Sequence, residues 1–566
     1  MASGMIEKLN AAVHHSPVGR FFDFEGRKTN FTSEFRGAAA TFMSMAYILA
    51  VNPRILADSG GPCVPNEDDG GIFGDTYLEC QEAIKREFVT STAIASLFGC
   101  LCMGLLANLP IALAPGMGMN AYFTYSVVGW RGTGKIGYEA AVTAVLIEGV
   151  IFSFLALTGV RHAITKLIPE PVRVATPAAI GFFLAHLGLQ TAEGIGIVVS
   201  DIATAVTLGA CPEDKRTPIV AYTDACKNEG ICTISDAYTC DDLGGVMTSP
   251  TAWVGILGLM IMLILMAYQN RSAFIIGIGF ITFISWFRGT AITYFPDTPA
   301  GNERFEYFKK VVSIEPLDKL LANYTSDLGS VGVALFTFLY VDFLDTSGTL
   351  LALVQDLGYT DEAGDFPRSR WAFASDAFAT MFGSIFGLSP VTSYIESGAG
   401  VKAGARTGMA ACICGFFFFL SIFFAPIIAA IPPWATGGAL IIVGAIMSKS
   451  LANVKWYNLS HATSAFLTVI IMPLTYSIAN GLIAGIGSFL IMEGTFFLLK
   501  FLGIPKPQFY PFGEEPSNDA QDEADDDNKD PDPTLKIPTG GDAESEEIND
   551  SAEIQKDESL RMEVSA

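Results

Sequence analysis

Charge is scarce in this chain. Only 16% of its 566 residues are Asp, Glu, Lys or Arg, where a soluble domain carries about a quarter. Histidine is rarer still, at five. This deficit excludes a soluble cytoplasmic enzyme, a nucleic-acid binder and a secreted globule. There is no G-x-x-x-x-G-K-[ST] phosphate loop, and no polar stretch is long enough for a nucleotide domain, so an ATP-driven pump is excluded as well. A channel would show pore-lining rings supplied by several subunits. Residues 1–30 hold His14, His15, Arg20, Asp23, Glu25, Arg27 and Lys28 without an apolar run, so no cleavable secretion signal is expected. The loop cysteines follow no C-x₂₋₄-C pattern and have no neighbouring histidine, which argues against zinc.

What fills the chain instead is hydrocarbon. Apolar residues make up 51% of it, and the mean hydropathy is +0.41. Runs near the ~20 residues that cross a bilayer recur throughout. They predict fourteen segments at 36–56, 88–108, 110–128, 137–158, 171–191, 251–268, 272–289, 328–350, 371–389, 391–402, 407–430, 434–450, 457–476 and 477–500. The 110–128 segment is interrupted by Pro115-Gly116-Met117-Gly118, and 391–402 is too short for a full crossing. The apolar stretch 191–208 contains Glu193 and Asp201 and is read as interfacial. The expected fold is thus an all-α polytopic membrane protein.

An even number of crossings places both termini on one side. Arg161, His162, Lys166, Arg173, Arg271, Arg368, Arg370, Lys402, Arg406, Lys449 and Lys455 fall on that side, which the positive-inside bias makes cytosolic. Arg131 and Lys135 are exceptions. The domain plan is a cytosolic segment 1–30, a first half 31–289, an external loop 290–327 and a second half 328–500. External loops 57–87 and 209–250 interrupt the first half. They carry Cys63, Cys80, Cys211, Cys226, Cys232 and Cys240, an even set that suggests disulfides of unassigned pairing. Cys100, Cys102, Cys412 and Cys414 lie in spans as small packing residues. Residues 511–566 hold 19 acidic and 4 basic side chains, −15 of the total −24, and read as a disordered cytosolic tail.

Two proline-containing interruptions recur. One is Leu113-Ala114-Pro115-Gly116-Met117-Gly118-Met119-Asn120-Ala121; the other is Leu388-Ser389-Pro390-Val391-Thr392-Ser393-Tyr394-Ile395-Glu396-Ser397. Each follows two long segments of its half and places a polar residue five or six positions after the proline. Seven crossings per half, an odd number, require the second half to be inverted. Matching interruptions in inverted halves point to a midplane binding site in a secondary transporter. Non-helical backbone at that depth needs partners from protein or ligand, and Gly116 and Gly118 are expected to admit a flat ligand. Asp342 and Asp345, three apart, share a helical face with no basic residue in their span. A carboxylate there costs ~3 kcal/mol even on mild insertion scales, so a proton or ligand donor is the expected partner. Glu396 and Asn120 are read as equivalent polar residues of the two breaks. Glu148, His186, Gln190, Glu193 and His461 are read as structural.

Several motifs in fixed order then establish a resemblance. Phe31-Thr32-Ser33-Glu34-Phe35-Arg36-Gly37 and Ala40 to Pro53 open it. Ala114 to Phe123, Phe343-Leu344-Asp345-Thr346-Ser347-Gly348-Thr349-Leu350 and Ser393 to Gly400 continue it. Across roughly residues 20–500 the chain resembles the AzgA-like purine permeases, proton symporters of hypoxanthine, adenine and guanine among the nucleobase–cation symporters, with loops and tail most similar to fungal members. The resemblance implies a 7+7 inverted repeat with core and gate domains, usually a homodimer, in the plasma membrane. It implies purine contacts at Asn120, Asp342 and Glu396. Asp345, Pro115, Gly116, Gly118, Thr392 and Ser393 would support them, and Asp342 or Glu396 would carry the proton. No metal, organic cofactor, nucleic-acid partner or catalytic residue is expected; the proton is the coupling ion. A sodium-coupled or facilitative carrier of purine-like compounds such as cytokinins, and a non-transporting receptor signalling through the tail, are the alternatives. Deleting 511–566 separates the last of these. A transporter should keep substrate binding on truncation, whereas a tail-signalling scaffold should lose its output.

Overall fold

A backbone in hydrocarbon has no water to bond, so it must close its hydrogen bonds within a helix or against other protein. The computed structural model shows both solutions. It describes residues 2–504 apart from 67–74, 135, 160–168, 191–193, 202–204, 212–215, 222–231, 241–245, 322, 326–330 and 361–365. The acidic tail, Arg161, His162, Lys166, Lys135, Glu193 and Cys226 therefore lie outside the described residues.

The helices are α1 (Ala2–His14), α2 (Pro17–Phe21), α3 (Phe31–Met45), α4 (Ile48–Asp58), α5 (Asp75–Cys102), α6 (Met117–Ala121), α7 (Tyr138–Thr158), α8 (Glu170–Leu189), α9 (Pro250–Ala267) and α10 (Ala273–Ser285). They continue as α11 (Pro299–Phe308), α12 (Gly332–Asp356), α13 (Ser369–Ile385), α14 (Ser397–Lys402), α15 (Gly408–Ile422), α16 (Ala425–Ala429), α17 (Pro433–Met447), α18 (Leu459–Thr475) and α19 (Ile478–Phe501). Wider π turns extend α5 over Met103–Ala107 and α6 over Tyr122–Val128. Among the described residues, eight helical stretches are long and apolar enough to cross a membrane, and α10, α15 and α18 are shorter apolar helices. Starts are set by side chains that take up free amides. Asn30 accepts from Ser33 N, Thr407 from Met409 N, Asn458 from Ser460 N and Ser477 from Asn480 N.

The membrane helices pack in two sets. One joins α3–α7 with α12–α15; the other joins α8–α10 with α17–α19. Each set therefore draws on both halves of the sequence. Close approach depends on glycine where helices meet backbone to backbone. A Cβ on Gly408 would lie 2.1 Å from the carbonyl oxygen of Gly104, and one on Gly444 would lie 2.3 Å from that of Gly181.

Several expectations change. The first segment is two helices divided at Ala46–Tyr47. Helix α5 begins at Asp75, so the later part of the loop expected at 57–87 is helical. Its charges escaped a hydropathy reading because they are paired: Glu82 with Arg304 of α11, and Arg86 with Glu303 at 2.6 Å. Lys85 Nζ also donates to the Tyr294 hydroxyl at 3.0 Å. Burial pushes that phenol up, but Lys85 and Arg304 outweigh it and bring it down to about 8. The stretch read as interfacial at 191–208 forms an antiparallel hairpin of β2 (Val198–Asp201) and β3 (Ala205–Leu208). A second hairpin, β4 (Arg216–Ala221) with β5 (Cys232–Cys240), lies in loop 209–250. Half of the residues of β2 and β3 are β-branched (Val198, Val199, Val206 and Thr207), which suits strands better than helix. Cys63 and Cys80 form a disulfide, and Cys211 is also disulfide-bonded.

One end of the molecule is tied by a polar latch. Glu34, fully buried, accepts from Thr29 Oγ1 at 2.7 Å, Arg406 N at 3.0 Å and Thr407 N at 3.2 Å. Arg27 Nη1 donates to the carbonyls of Asn108 and Arg406, and Asn108 Oδ1 accepts from Gly408 N. Residues 27–34, 108 and 406–408 thus close on each other. Glu34→Ala would leave two buried amides unpaired at ~1–3 kcal/mol each. The expected outcome is a clearly lower thermal unfolding midpoint in detergent, with Glu34→Gln in between. An unchanged midpoint for the alanine variant would contradict it.

Candidate functional site

The two interrupted segments meet. After its π turn the chain leaves the α5 line at Asn108, whose φ of 55° is one that asparagine tolerates, and runs extended into β1 (Leu113–Pro115). The second interruption forms β6 (Val391–Ser393). The two pair antiparallel, Leu113 opposite Ser393, Ala114 opposite Thr392 and Pro115 opposite Val391. Flanking bonds extend the ribbon: Gly116 N to Pro390 O at 2.9 Å, Tyr394 N to Ala112 O at 3.0 Å and Ala112 N to Ser397 Oγ at 3.0 Å. Thr380 of α13 both donates to Val391 O at 2.8 Å and accepts from Val391 N at 3.0 Å. The Tyr394 hydroxyl donates to Pro115 O at 2.5 Å. Proline suits β1 because it removes a donor where few acceptors exist.

Asn120 lies in α6, directly after the ribbon, and is completely buried. Its Oδ1 accepts from the Ser389 hydroxyl, while its Nδ2 has no acceptor. Glu396 is half-buried at the start of α14 and accepts from the Tyr47 hydroxyl at 2.8 Å. It stands at the N-cap of α14 but caps no amide of that helix with its side chain; its bond comes from Tyr47, at the α3–α4 break. The spaces beside Gly116 and Gly118 are filled by protein. A Cβ there would lie 2.9 Å from Thr392 Cγ2 and 2.5 Å from Ile180 Cγ2 respectively. Both glycines therefore serve close packing.

The aspartates diverge. Asp345 is half-buried and interacts electrostatically with Asp342 and Glu396. Asp342 is fully buried among other polar groups. Thr346 Oγ1 lies 3.3 Å from Asp342 Oδ1, 2.7 Å from Asp376 Oδ2 and 2.9 Å from Thr392 Oγ1. The amide of Ser393 bonds to Asp376, and the carboxyl of Glu148 meets that of Asp342. The structure thus brings Asp342, Thr392 and Ser393 together with Thr346, Asp376 and Glu148. Asp376 and Thr346 were missed as site residues. Asp376 had the signal already used for Asp342, an acid in an apolar span. Glu148, read from the sequence as a structural polar residue of its span, joins this network. His186 and Gln190 contact each other at 3.2 Å, and His461 contacts Phe489, away from this network.

The first half has a neutral version of the same cross-link. Asn52 Nδ2 of α4 donates to Thr92 Oγ1 of α5 at 2.7 Å, where α12 and α13 use Thr346 and Asp376. Removing the Thr346 hydroxyl leaves Asp376 without its side-chain donor. Thr346→Val, similar in size, should therefore lower the thermal midpoint by the equivalent of ~1–3 kcal/mol, while Thr346→Ser should stay close to wild type. Equal midpoints for all three proteins would show that the hydroxyl contributes nothing.

The chain is similar to known proteins in sequence and in fold. The Permease family model Xan_ur_permease matches residues 70–211 and 243–483. The chain is 42% identical over 86% of its length to efflux pump notK' of Aspergillus versicolor, covering 84% of that protein. It is 35% identical over 82% of its length to guanine/hypoxanthine permease PbuG of Bacillus subtilis, covering 91% of it. It is 31% identical over 84% of its length to adenine permease AdeP of Escherichia coli, covering 90% of it. The structure of SLC26A9 superposes with a TM-score of 0.52 and 12% identity over 88% of this chain and 70% of that one, a likeness of fold alone. With its ribbon of two broken segments inside an all-helical, multi-pass, SLC26-like architecture, the chain belongs to the Xan_ur_permease family, and it is a membrane transporter, not an enzyme.

Proposed function

We propose that this protein imports the purine bases hypoxanthine, adenine and guanine by proton symport. It would do so with fourteen crossings, both termini cytosolic, as a homodimer in the plasma membrane. The observation that carries the substrate is Asn120. Its Nδ2 is a buried donor without an acceptor, held against a ribbon that ties both halves together. A buried unsatisfied donor is costly, and a ligand acceptor relieves that cost. Glu396, half-buried and bonded on one oxygen by Tyr47, offers the complementary acceptor. A purine presents adjacent ring donors and acceptors in one plane, which an amide and a carboxylate can match. Asp342 and Asp345 complete the acidic side of the site, with Thr392 and Ser393 behind it. The names of the PbuG and AdeP relatives support this substrate class.

Charge supports the proton as coupling ion. The acidic groups of the site are Asp342, Asp345, Asp376, Glu148 and Glu396, and the charges acting on Glu148 and Asp345 are other acids. A proton taken up by Asp342 or Glu396 lowers that repulsion. One proton with a neutral base carries one positive charge, which a negative-inside potential favours by ~2.3 kcal/mol per 100 mV. Sodium could serve the same carboxylates. The relative named as an efflux pump favours a second reading, outward transport, and a symporter runs either way with its gradient.

Purified protein in sealed liposomes tests the reading. A pH gradient, acidic outside, should drive accumulation of labelled hypoxanthine, adenine or guanine without sodium, one proton and one charge per base. Accumulation that needs sodium and ignores the pH gradient would contradict proton coupling, and no movement of any purine would contradict the substrate class. Glu396→Gln and Asp342→Asn should each weaken binding roughly ten- to hundredfold, the equivalent of one unpaired buried group. Wild-type affinity in both would place the crevice elsewhere.

A further inference from the structure

The proton-symport reading leaves open where the proton sits, and the inference here rests on that reading. Glu148 lies midway along α7, fully buried, and neither of its carboxyl oxygens receives a hydrogen bond from a donor. It points into the network of Asp342, Thr346, Asp376 and Thr392, with its carboxyl against that of Asp342. The helices packed around α7 present to it Asp342 from α12 and Asp376 from α13. Asp345 acts in turn on Asp376, and both Asp342 and Glu396 act on Asp345.

The hydrogens on hand do not suffice. Three carboxyl groups offer six acceptor oxygens. Thr346 and Thr392 each bring one hydroxyl hydrogen, and Ser393 brings one amide to Asp376. Thr346 lies nearer Asp376, at 2.7 Å, than Asp342, at 3.3 Å. Oδ2 of Asp342 and Oδ1 of Asp376 have no protein donor. Two ionised carboxylates in contact can only accept, and a proton on one of them lets it donate to the other. Like charges held together in this way titrate as a pair.

We propose that Glu148 and Asp342 share the transported proton, with Glu148 the residue that takes it up alongside the ligand-side aspartate. The step moves one proton from hydronium on the acidic side to a carboxylate oxygen of the pair: one O–H bond of the hydronium breaks, water leaves, one carboxyl O–H bond forms, and the pair's charge goes from two negative to one. Release to the opposite side reverses it. Asp345 lies one helical turn beyond Asp342 and interacts with Glu396, so occupancy at Glu396 changes the field at the pair. This gives the ligand and the proton a common energetic link across the two halves.

The test uses full-length protein in liposomes. Glu148→Gln keeps size and supplies a permanent amide donor to Asp342. Its exchange of labelled purine at equal pH should remain measurable, while its accumulation of purine under a pH gradient should be lost. Its purine affinity should also lose its dependence on pH. A merely structural glutamate would leave accumulation and the pH profile unmoved, so a Glu148→Gln protein that concentrates purine as wild type does would overturn the proposal. A wild type that ignores the pH gradient would instead overturn the symport reading itself. Infrared spectra of wild type and Asp342→Asn provide a second readout that does not require Glu148→Gln to fold. A carboxyl C=O band of a protonated acid, present in wild type at neutral pH and lost in Asp342→Asn, is expected. Identical carboxyl regions in the two proteins would overturn the assignment.

Discussion

The rest of the structure depends on one constraint: extended backbone at membrane depth must find its hydrogen-bond partners in protein. The pairing of β1 with β6 meets it. Three residues from each half satisfy one another, and Thr380, Tyr394 and Ser397 complete the edges. The ribbon fixes where α6 and α14 begin, and hence where Asn120 and Glu396 stand. A helix through either region would bond its own amides but would bring neither side chain to the junction of the halves. The prolines matter here for what they withhold, since Pro115 and Pro390 need no partner for an amide they lack.

Around this junction the two halves are built alike but charged differently. The cross-link between α4 and α5 is Asn52 to Thr92, neutral at both ends. Its counterpart between α12 and α13 places Thr346 between Asp342 and Asp376, with Glu148 added from α7. A neutral pair holds helices together at any pH. An acidic group with too few donors favours a bound proton or cation. This asymmetry is the feature on which the proposed proton coupling rests.

Much of the fold was legible because apolar length is a direct consequence of bilayer thickness. The two interruptions were legible because proline and glycine cannot be hidden in a long apolar run. What escaped was whatever depended on partners distant in sequence. The charged start of α5 reads as loop until Arg304 and Glu303 are seen to pair with it. The strands β2 and β3 read as interfacial until their register is seen. In the site, Asn120, Asp342 and Glu396 could be named from spacing, but the α7–α12–α13 packing that joins Glu148 and Asp376 to Asp342 has no local sequence signature. The close contacts that Gly116 and Gly118 permit, with Thr392 and Ile180, likewise have no local sequence signature.

The central claim is that the substrate binds where the two broken segments meet, and a structure of the protein with bound hypoxanthine tests it most directly. The account predicts the purine beside the β1–β6 ribbon, with Asn120 Nδ2 donating to a ring acceptor and Glu396 accepting from a ring N–H. A purine bound away from both side chains, with Asn120 and Glu396 keeping only their bonds to Ser389 and Tyr47, would contradict it.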